Sequence, residues 1–148
     1  MANKFNFDKV HDRWKNINMA LSLANVAKNE FVNNFKVQGF GGNNWKNVKR
    51  REAGTPEYKY PKTKGISRRT KPILVLSGQL RRDVFNSVAK GHKNSNLSYT
   101  LVVENPYAGY LNEGTDKIDK RQFVGTTPEL QNKIATKIKE ITNKIWGN

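Results

Sequence analysis

Two long stripes of apolar side chains, one at each end of the chain, constrain its fold most strongly. In residues 8 to 36, apolar side chains recur at steps of three and four residues, and no proline or glycine intervenes. This spacing predicts one long amphipathic helix that ends at Gly39 and the pair Gly41-Gly42. The stripe could face the core or a neighbouring subunit, and both contacts could hold for different parts of the helix. Its members are Val10, Trp14, Ile17, Leu21, Ala24, Phe31 and Phe35, with Lys28 as the polar exception.

The second stripe predicts a helix at the C-terminal end of the chain. Its apolar residues recur at the same steps, while lysines occupy the other faces. Thr126 and Glu129 have the spacing of a capping box, and Pro128 suits the first turn of a helix. The apolar members of this stripe are Leu130, Ile134, Ile138, Ile141 and Ile145.

Shorter elements are predicted between the two helices. Residues 73 to 76 form an apolar run that predicts either a short buried strand or the lead-in to a helix, with Ser77 as the N-cap of that helix. Residues 97 to 103 alternate between apolar and polar, which predicts a half-buried strand ending at Asn105-Pro106. The helix after Ser77 would bury Leu80, Val84 and Val88, and a further short helix holding Tyr107 and Leu111 would stop at Gly114.

Together these elements predict one α+β domain that spans residues 1 to 148. A chain of this length can bury one modest core. We expect a small mixed or antiparallel sheet packed against the long N-terminal and C-terminal amphipathic helices. Residues 39 to 72 contain three of the five prolines and many glycines and asparagines, which predicts a long protruding loop or hairpin insertion.

That insertion carries about half of the chain's formal net charge of +15. Residues 46 to 71, here called the basic segment, hold ten basic side chains against Glu52 and Glu57, which leaves a net charge of +8. Such a charge predicts contact with DNA or with an acidic protein surface, although it could serve solubility alone. Trp45 could pin the base of the loop to the core or stack on a base. The partner-facing candidates are Arg50, Arg51, Lys62, Lys64, Arg68 and Arg69.

The sequence contains no pattern typical of an enzyme, a metal site or a cofactor site. It has no cysteine, no phosphate-binding glycine loop and no run of about 18 apolar residues that could span a membrane. His11 and His92 lie in unrelated segments without a partner histidine. Glu113 is the most suggestive carboxylate, and we interpret it as an ion-pair partner or a cap. We therefore expect no catalytic residue, metal, cofactor or membrane contact.

Three short motifs follow one another in the second half of the chain. The first runs from Ser77 to Val84 and reads Ser-Gly-Gln-Leu-Arg-Arg-Asp-Val. The second begins at Tyr107-Ala108 and reaches Gly114, and the third is Arg121-Gln-Phe-Val-Gly125. In order and spacing they resemble the phage virion-morphogenesis and tail-completion family, whose members join head to tail in tailed phages. With the flanking helices, the resemblance covers roughly residues 7 to 146.

This resemblance implies a small structural α+β protein that forms a ring at the neck or at the top of the tail. Such rings are typically six-fold, so the partners would be further copies of the chain, as a hexamer or dodecamer. Portal-side and tail-tube-side proteins would lie above and below, and DNA would pass through the lumen. The protein would assemble in the host bacterial cytoplasm and end in the virion. The matching residues are architectural: Ser77, Gly78, Leu80, Tyr107, Ala108, Gly114, Arg121, Phe123 and Gly125.

Within this pattern, Phe123 is expected to plug the core, and Arg121 to tie the loop to a carboxylate or to helix-terminal carbonyls. The chain departs from many relatives at Leu111, where they have histidine, and at Asp119-Lys120, where they have proline before the third motif. Neck adaptor, tail-completion protein and tail terminator therefore all stay open. The alternatives are a free nucleic-acid-binding protein that uses the basic segment and another interaction module that binds an acidic partner.

Overall fold

The N-terminal stripe folds into two helices, so the prediction of one continuous helix over residues 8 to 36 is wrong. The computed structural model describes residues 7–59 and 65–147. Helix α1 spans Phe7–Asn16 and helix α2 spans Met19–Val37. The break lies at Asn18, whose side-chain oxygen accepts a hydrogen bond from the Leu21 amide at 3.1 Å and caps α2. Asparagine is a preferred N-cap, and this local bond competes with a continuous helix.

Helix α2 ends at Val37, two residues before Gly39. Gln38 takes the left-handed conformation with φ of 54°, and its backbone N–H donates to the Asn34 carbonyl. Strands β1 (Gly39–Phe40) and β2 (Asn43–Asn44) follow as a small antiparallel hairpin. The Gly41-Gly42 turn has positive φ at both residues, which glycine adopts without steric cost.

The insertion from residue 39 to 72 begins with this hairpin and continues in short helical turns. A 3-10 turn spans Lys49–Arg51, helix α3 spans Pro56–Lys59 and helix α4 spans Gly65–Thr70. Trp45 is 8% exposed, its Nε1 donates to the Gln122 carbonyl at 2.7 Å, and its ring meets the edge of Phe35. The interpretation of Trp45 as a pin to the core is confirmed, because a base-stacking ring would have to face solvent.

Residues 73 to 76 form a turn that leads into a helix at Gln79, so the strand alternative is wrong. Leu74 has φ of 61°, while the Ile73 amide donates to the Gln38 side chain at 2.8 Å. Helix α5 (Gln79–Phe85) and helix α6 (Ser87–Lys90) follow, separated at Asn86. Gly78 occupies the N-cap position predicted for Ser77, although the Ser77 hydroxyl still accepts from the Gln79 amide at 3.3 Å.

Strand β3 was not predicted, and the other remaining elements follow the predicted order with shifted bounds. Strands β3 (His92–Ser95) and β4 (Ser98–Thr100) pair antiparallel, so the predicted strand is shorter than residues 97 to 103. Helix α7 spans Ala108–Glu113 and helix α8 spans Pro128–Trp146. Thr127, not Thr126, caps α8, because its hydroxyl accepts from the Leu130 amide at 3.1 Å. The predicted capping box is therefore wrong, because the residue three positions after Thr127 is Leu130, which cannot accept a hydrogen bond in return.

The predicted α+β class is confirmed: α2 and α8 pack together, with two small two-stranded antiparallel sheets. Lys133 of α8 bridges the buried Glu30 of α2, at 2.5 Å, and Glu129, at 2.8 Å. The main core lies between α2, α5 and the chain before α8, and a smaller cluster joins α1, α2 and α8 through Met19, Ile141 and Ile145. The buried residues of the main core are Phe31, Phe35, Trp45, Ile73, Leu80, Val84, Phe123 and Leu130.

Candidate functional site

Arg121 lies buried between the third motif and the start of the basic segment. Its Nε donates to the Lys46 carbonyl at 3.1 Å, and its Nη2 donates to the Asn47 carbonyl at 2.9 Å. The Asp119 carboxylate lies 3.7 Å from Nη2 and accepts from Lys46 Nζ at 2.9 Å. Arg121 therefore ties the loop to the motif, as expected. Its carbonyl partners belong to the loop and not to a helix end.

Phe123 fills the core beside Arg121, as expected for a core plug. Its side chain is 1% exposed, and its ring centroid lies 5.3 Å from that of Phe35. Two asparagines fix the backbone around it. Asn112 Oδ1 accepts from the amides of Phe123 and Val124, both at 3.0 Å, while Asn34 Nδ2 donates to the Phe123 carbonyl at 3.0 Å. These bonds align the third motif against α2 and α7.

Gly114 ends α7 where no other residue would fit without strain. Its φ is 77°, and a Cβ on it would lie 3.0 Å from the Lys120 backbone nitrogen. Both a left-handed conformation and a close backbone approach therefore require glycine here, as expected from the second motif. The chain turns at Gly114 and returns so that the Arg121 amide donates to the Leu111 carbonyl at 2.8 Å.

The other motif residues also have structural positions. Leu80 is buried in the main core, Ala108 packs against its edge, and Gly125 lies against the Phe40 ring. Tyr107 is different, because its side chain is 66% exposed. It is the motif residue that points to a surface function.

Tyr107 lines an apolar groove of about 570 Å³ between the first two motifs. Tyr110, which is 58% exposed, and Leu76, which is 37% exposed, contribute to the same surface. Exposed apolar patches of this kind mark interaction sites in soluble proteins. The apolar walls of this groove are formed by Leu74, Leu76, Leu80, Pro106, Tyr107, Tyr110, Leu111 and Ile118.

Charged side chains of both signs border the apolar groove. Arg82 donates to the Gln79 side chain at 2.9 Å, and Lys71 donates to the Leu76 carbonyl at 2.8 Å. Asp83 accepts hydrogen bonds at 2.7 Å from two residues of the groove wall, Gln79 and Asn105. The groove therefore combines an apolar surface with a margin that carries both signs of charge.

Arg50 and Arg69 of the basic segment donate to backbone carbonyls within or directly after the segment. Arg50 Nε donates to the Arg68 carbonyl at 3.1 Å, and its Nη2 donates to the carbonyls of Lys71 and Pro72 at 3.2 and 2.8 Å. Arg69 donates to the Tyr58 carbonyl at 2.9 Å and stacks over the Tyr58 ring. Arg51 Nη1 makes a longer bond of 3.4 Å to Gln38 Oε1. These half-buried side chains hold the segment together while part of each faces solvent.

Four guanidinium groups, those of Arg50, Arg51, Arg68 and Arg121, form what we call the arginine cluster. Burial is the largest cause that lowers the pKa of Arg50 below its ordinary value, and the charges of the other three lower it further. In the part of the chain that the structure describes, Asp119 is the one carboxylate that pairs with this cluster. The hydrogen bond from Lys46, followed by nearby positive charges, lowers the pKa of the Asp119 carboxyl below 3.8.

Two predicted partner-facing residues, Lys62 and Lys64, lie outside the described residues. His11 and His92 are both exposed, on α1 and β3. Among residues 7–59 and 65–147, no group of histidine, aspartate and glutamate side chains is arranged to hold a metal ion. Over the same ranges, none of the helices combines the length and apolar character needed to cross a membrane.

Sequence reasoning missed the two asparagines that position Phe123. Asn34 interrupts the apolar face of α2 between Phe31 and Phe35, and a buried polar residue on such a face is a usable signal for a specific hydrogen bond. Asn112 gave no signal, because the second motif specifies only Tyr107, Ala108 and Gly114.

The comparisons with known proteins found no similarity. The chain matches no family model, no curated protein and no solved structure.

Proposed function

We propose that this protein is a structural component of a tailed-phage virion, forming a ring that joins head to tail and lets DNA pass. The observation that carries the proposal is the convergence of the three motifs on one structural unit. Leu80 of the first motif and Phe123 of the third lie in the same buried core, and Ala108 of the second motif packs against it. Residues that resemble the family pattern also form the core and its supporting hydrogen bonds. This agreement supports the fold and the function that the resemblance implies.

The apolar groove supplies the second support, and we assign its occupant to another copy of the same chain. The exposed apolar side chains of the groove, Tyr107 and Tyr110, would be buried against the surface of a neighbouring copy. A groove on one face and a complementary surface elsewhere make a heterologous contact, which closes into a ring when the rotation permits. Hexamer and dodecamer both satisfy this arrangement.

The basic segment would face either DNA in the lumen or an acidic surface on an adjacent virion protein. Backbone phosphates suit a conduit, because contacts to phosphates do not depend on base sequence. Replacing Arg50, Arg51, Arg68 and Arg69 together with serine should then reduce head–tail joining or DNA retention. Because these arginines also bond to the segment itself, folding of the variant must be verified by circular dichroism.

The decisive test is the position and copy number of the protein in purified virions. Cryo-electron microscopy with quantitative mass spectrometry should find a small fixed number of copies at the neck or the top of the tail. Copies distributed over the capsid shell or along the whole tail tube would refute the proposal. A protein absent from virions that binds DNA as a free monomer would favour the nucleic-acid-binding alternative.

A matched pair of variants tests the groove as the subunit interface. Tyr110→Asp places a charge in the apolar groove, whereas Leu97→Asp places one on an exposed apolar residue of the β3–β4 turn outside it. We expect Tyr110→Asp to abolish ring particles in negative-stain images and oligomers in size-exclusion with light scattering, while Leu97→Asp leaves both. Equal behaviour of the two variants would exclude the groove as the interface.

A further inference from the structure

The arginine cluster contains a buried donor that lacks an acceptor. Arg68 Nε is buried and has no hydrogen-bond partner among residues 7–59 and 65–147. Buried polar groups in native proteins are nearly always paired, and an unpaired donor on a charged side chain destabilises the conformation that buries it. The adjacent Arg68 carbonyl accepts from Arg50 Nε at 3.1 Å, so the two side chains lie at one junction of the basic segment.

The same junction concentrates positive charge with little compensation. The partners of Arg50 are backbone carbonyls, which carry no net charge, and Arg51 makes a single long bond to the Gln38 side chain. Arg121, the one member with a carboxylate neighbour, shares Asp119 with Lys46. Guanidinium groups that lie close together and repel one another are stabilised by an anion that binds between them.

We propose that Arg50, Arg51 and Arg68 form a binding site for a phosphate oxyanion. Arginine presents a planar fork of donors that matches phosphate, and a tetrahedral phosphate offers more acceptor oxygens than a carboxylate. Such a ligand would accept a hydrogen bond from Arg68, and its negative charge would offset the positive charge of Arg50. Because it binds the folded segment, it would also stabilise that segment against unfolding. The ligand could be a free phosphoanion or a phosphate of a nucleic-acid backbone, which present the same chemistry.

The test uses the full chain and pyrophosphate as the probe, titrated by calorimetry at constant ionic strength. We expect saturable binding of one pyrophosphate per chain and an increase in the melting temperature. Arg51→Gln should weaken the Kd by about tenfold, as expected for the loss of one charge-assisted hydrogen bond. Arg68→Lys should weaken it as well, because an ammonium group keeps the charge but loses the Nε donor and the planar fork.

The matched control is Lys139→Gln, which removes one positive charge from the exposed face of α8. An unchanged Kd in this variant supports a built site, whereas equal weakening in all variants would show a diffuse charge effect and overturn the proposal. Circular dichroism verifies folding, and if Arg68→Lys does not fold, Arg51→Gln carries the test. Absence of saturable binding would also overturn it.

Competition experiments identify the source of the phosphate. If a short DNA duplex displaces pyrophosphate, the occupant is a backbone phosphate, and if it does not, the occupant is a free phosphoanion. A polyglutamate peptide that binds the cluster more tightly than either phosphate ligand would refute the phosphate assignment. All of these measurements use the isolated chain, so their failure leaves the proposed head–tail joining role untouched, and misplacement of the protein in virions leaves the phosphate site untouched.

Discussion

The Arg121 site and the Arg50–Arg68 junction are both built from arginine side chains, but the charges around those side chains differ. Arg121 is buried, donates to two loop carbonyls and has a carboxylate beside it. Arg50 also donates to carbonyls, but its charged neighbours are other arginines and burial lowers its pKa. The first site has a carboxylate of the chain beside it, whereas the second has none among the described residues. The comparison indicates that Arg121 serves the fold, and it is the reason for proposing an anion at the Arg50–Arg68 junction.

The largest loss of stability should follow from truncating Phe123, the core side chain beside the Arg121 site. Phe123→Ala should lower the free energy of unfolding by about 3–5 kcal/mol, because it leaves a cavity next to Phe35 in the main core. Urea denaturation measures the change. The control is Phe85→Ala, since Phe85 is 58% exposed and contacts Lys28 over its ring. Comparable losses in the two variants would contradict the assignment of Phe123 to the core.

The comparison between the two arginine sites can be tested directly with a pair of methionine variants. Arg121→Met removes charge-assisted hydrogen bonds to two loop carbonyls and should cost about 2–4 kcal/mol of unfolding free energy. Arg50→Met also removes bonds, but it relieves repulsion within the arginine cluster and should cost less. A larger loss for Arg50→Met would reverse the assignment of the two sites. Both variants can be measured by urea denaturation.

Removing a neutral partner at the Arg121 site should have a smaller effect. Asn112→Ala leaves the amides of Phe123 and Val124 without their acceptor, which should cost about 1–3 kcal/mol. Asn132→Ala on the exposed face of α8 is the control, because it changes the same residue type without removing such bonds. If Asn112→Ala were as stable as the control, the third motif would not depend on this side chain.

The residues that the sequence predicted best are those whose position follows from periodicity. Ala24, Phe31 and Phe35 of the first stripe are buried, as are Leu130, Ile141 and Ile145 of the second. Phe123 and Gly114 were also predicted correctly, because a buried aromatic and a left-handed glycine leave clear marks in a motif. The α+β class follows from these elements and needs no tertiary information.

The failures occur where a side chain bonds to a distant or competing backbone group. Asn18 breaks the first helix by capping its own downstream turn, which periodicity does not detect. The apolar run from residue 73 is a turn because the Gln38 side chain binds the Ile73 amide from the end of α2. The sequence predicted the concentration of positive charge in the arginine cluster. Which guanidinium groups bind carbonyls and which lack an acceptor depends on the folded geometry.

The smallest effect concerns Asp119, the carboxylate that completes the Arg121 site. The hydrogen bond from Lys46 is the main cause that lowers the pKa of the Asp119 carboxyl below its ordinary value of 3.8. The ionised carboxylate therefore stabilises the fold when the pH is above that ordinary value, and this stabilisation is lost as the pH falls through the lower folded pKa. Asp119→Asn should therefore be less stable than the parent chain near neutral pH, and the difference should vanish in strong acid. Asp116→Asn, an exposed neighbour, is the control and should show little difference at either pH. The difference in stability between Asp119→Asn and the parent chain could instead persist below the folded pKa. That result would mean that the amide disturbs packing and that the charge of Asp119 does not stabilise the site.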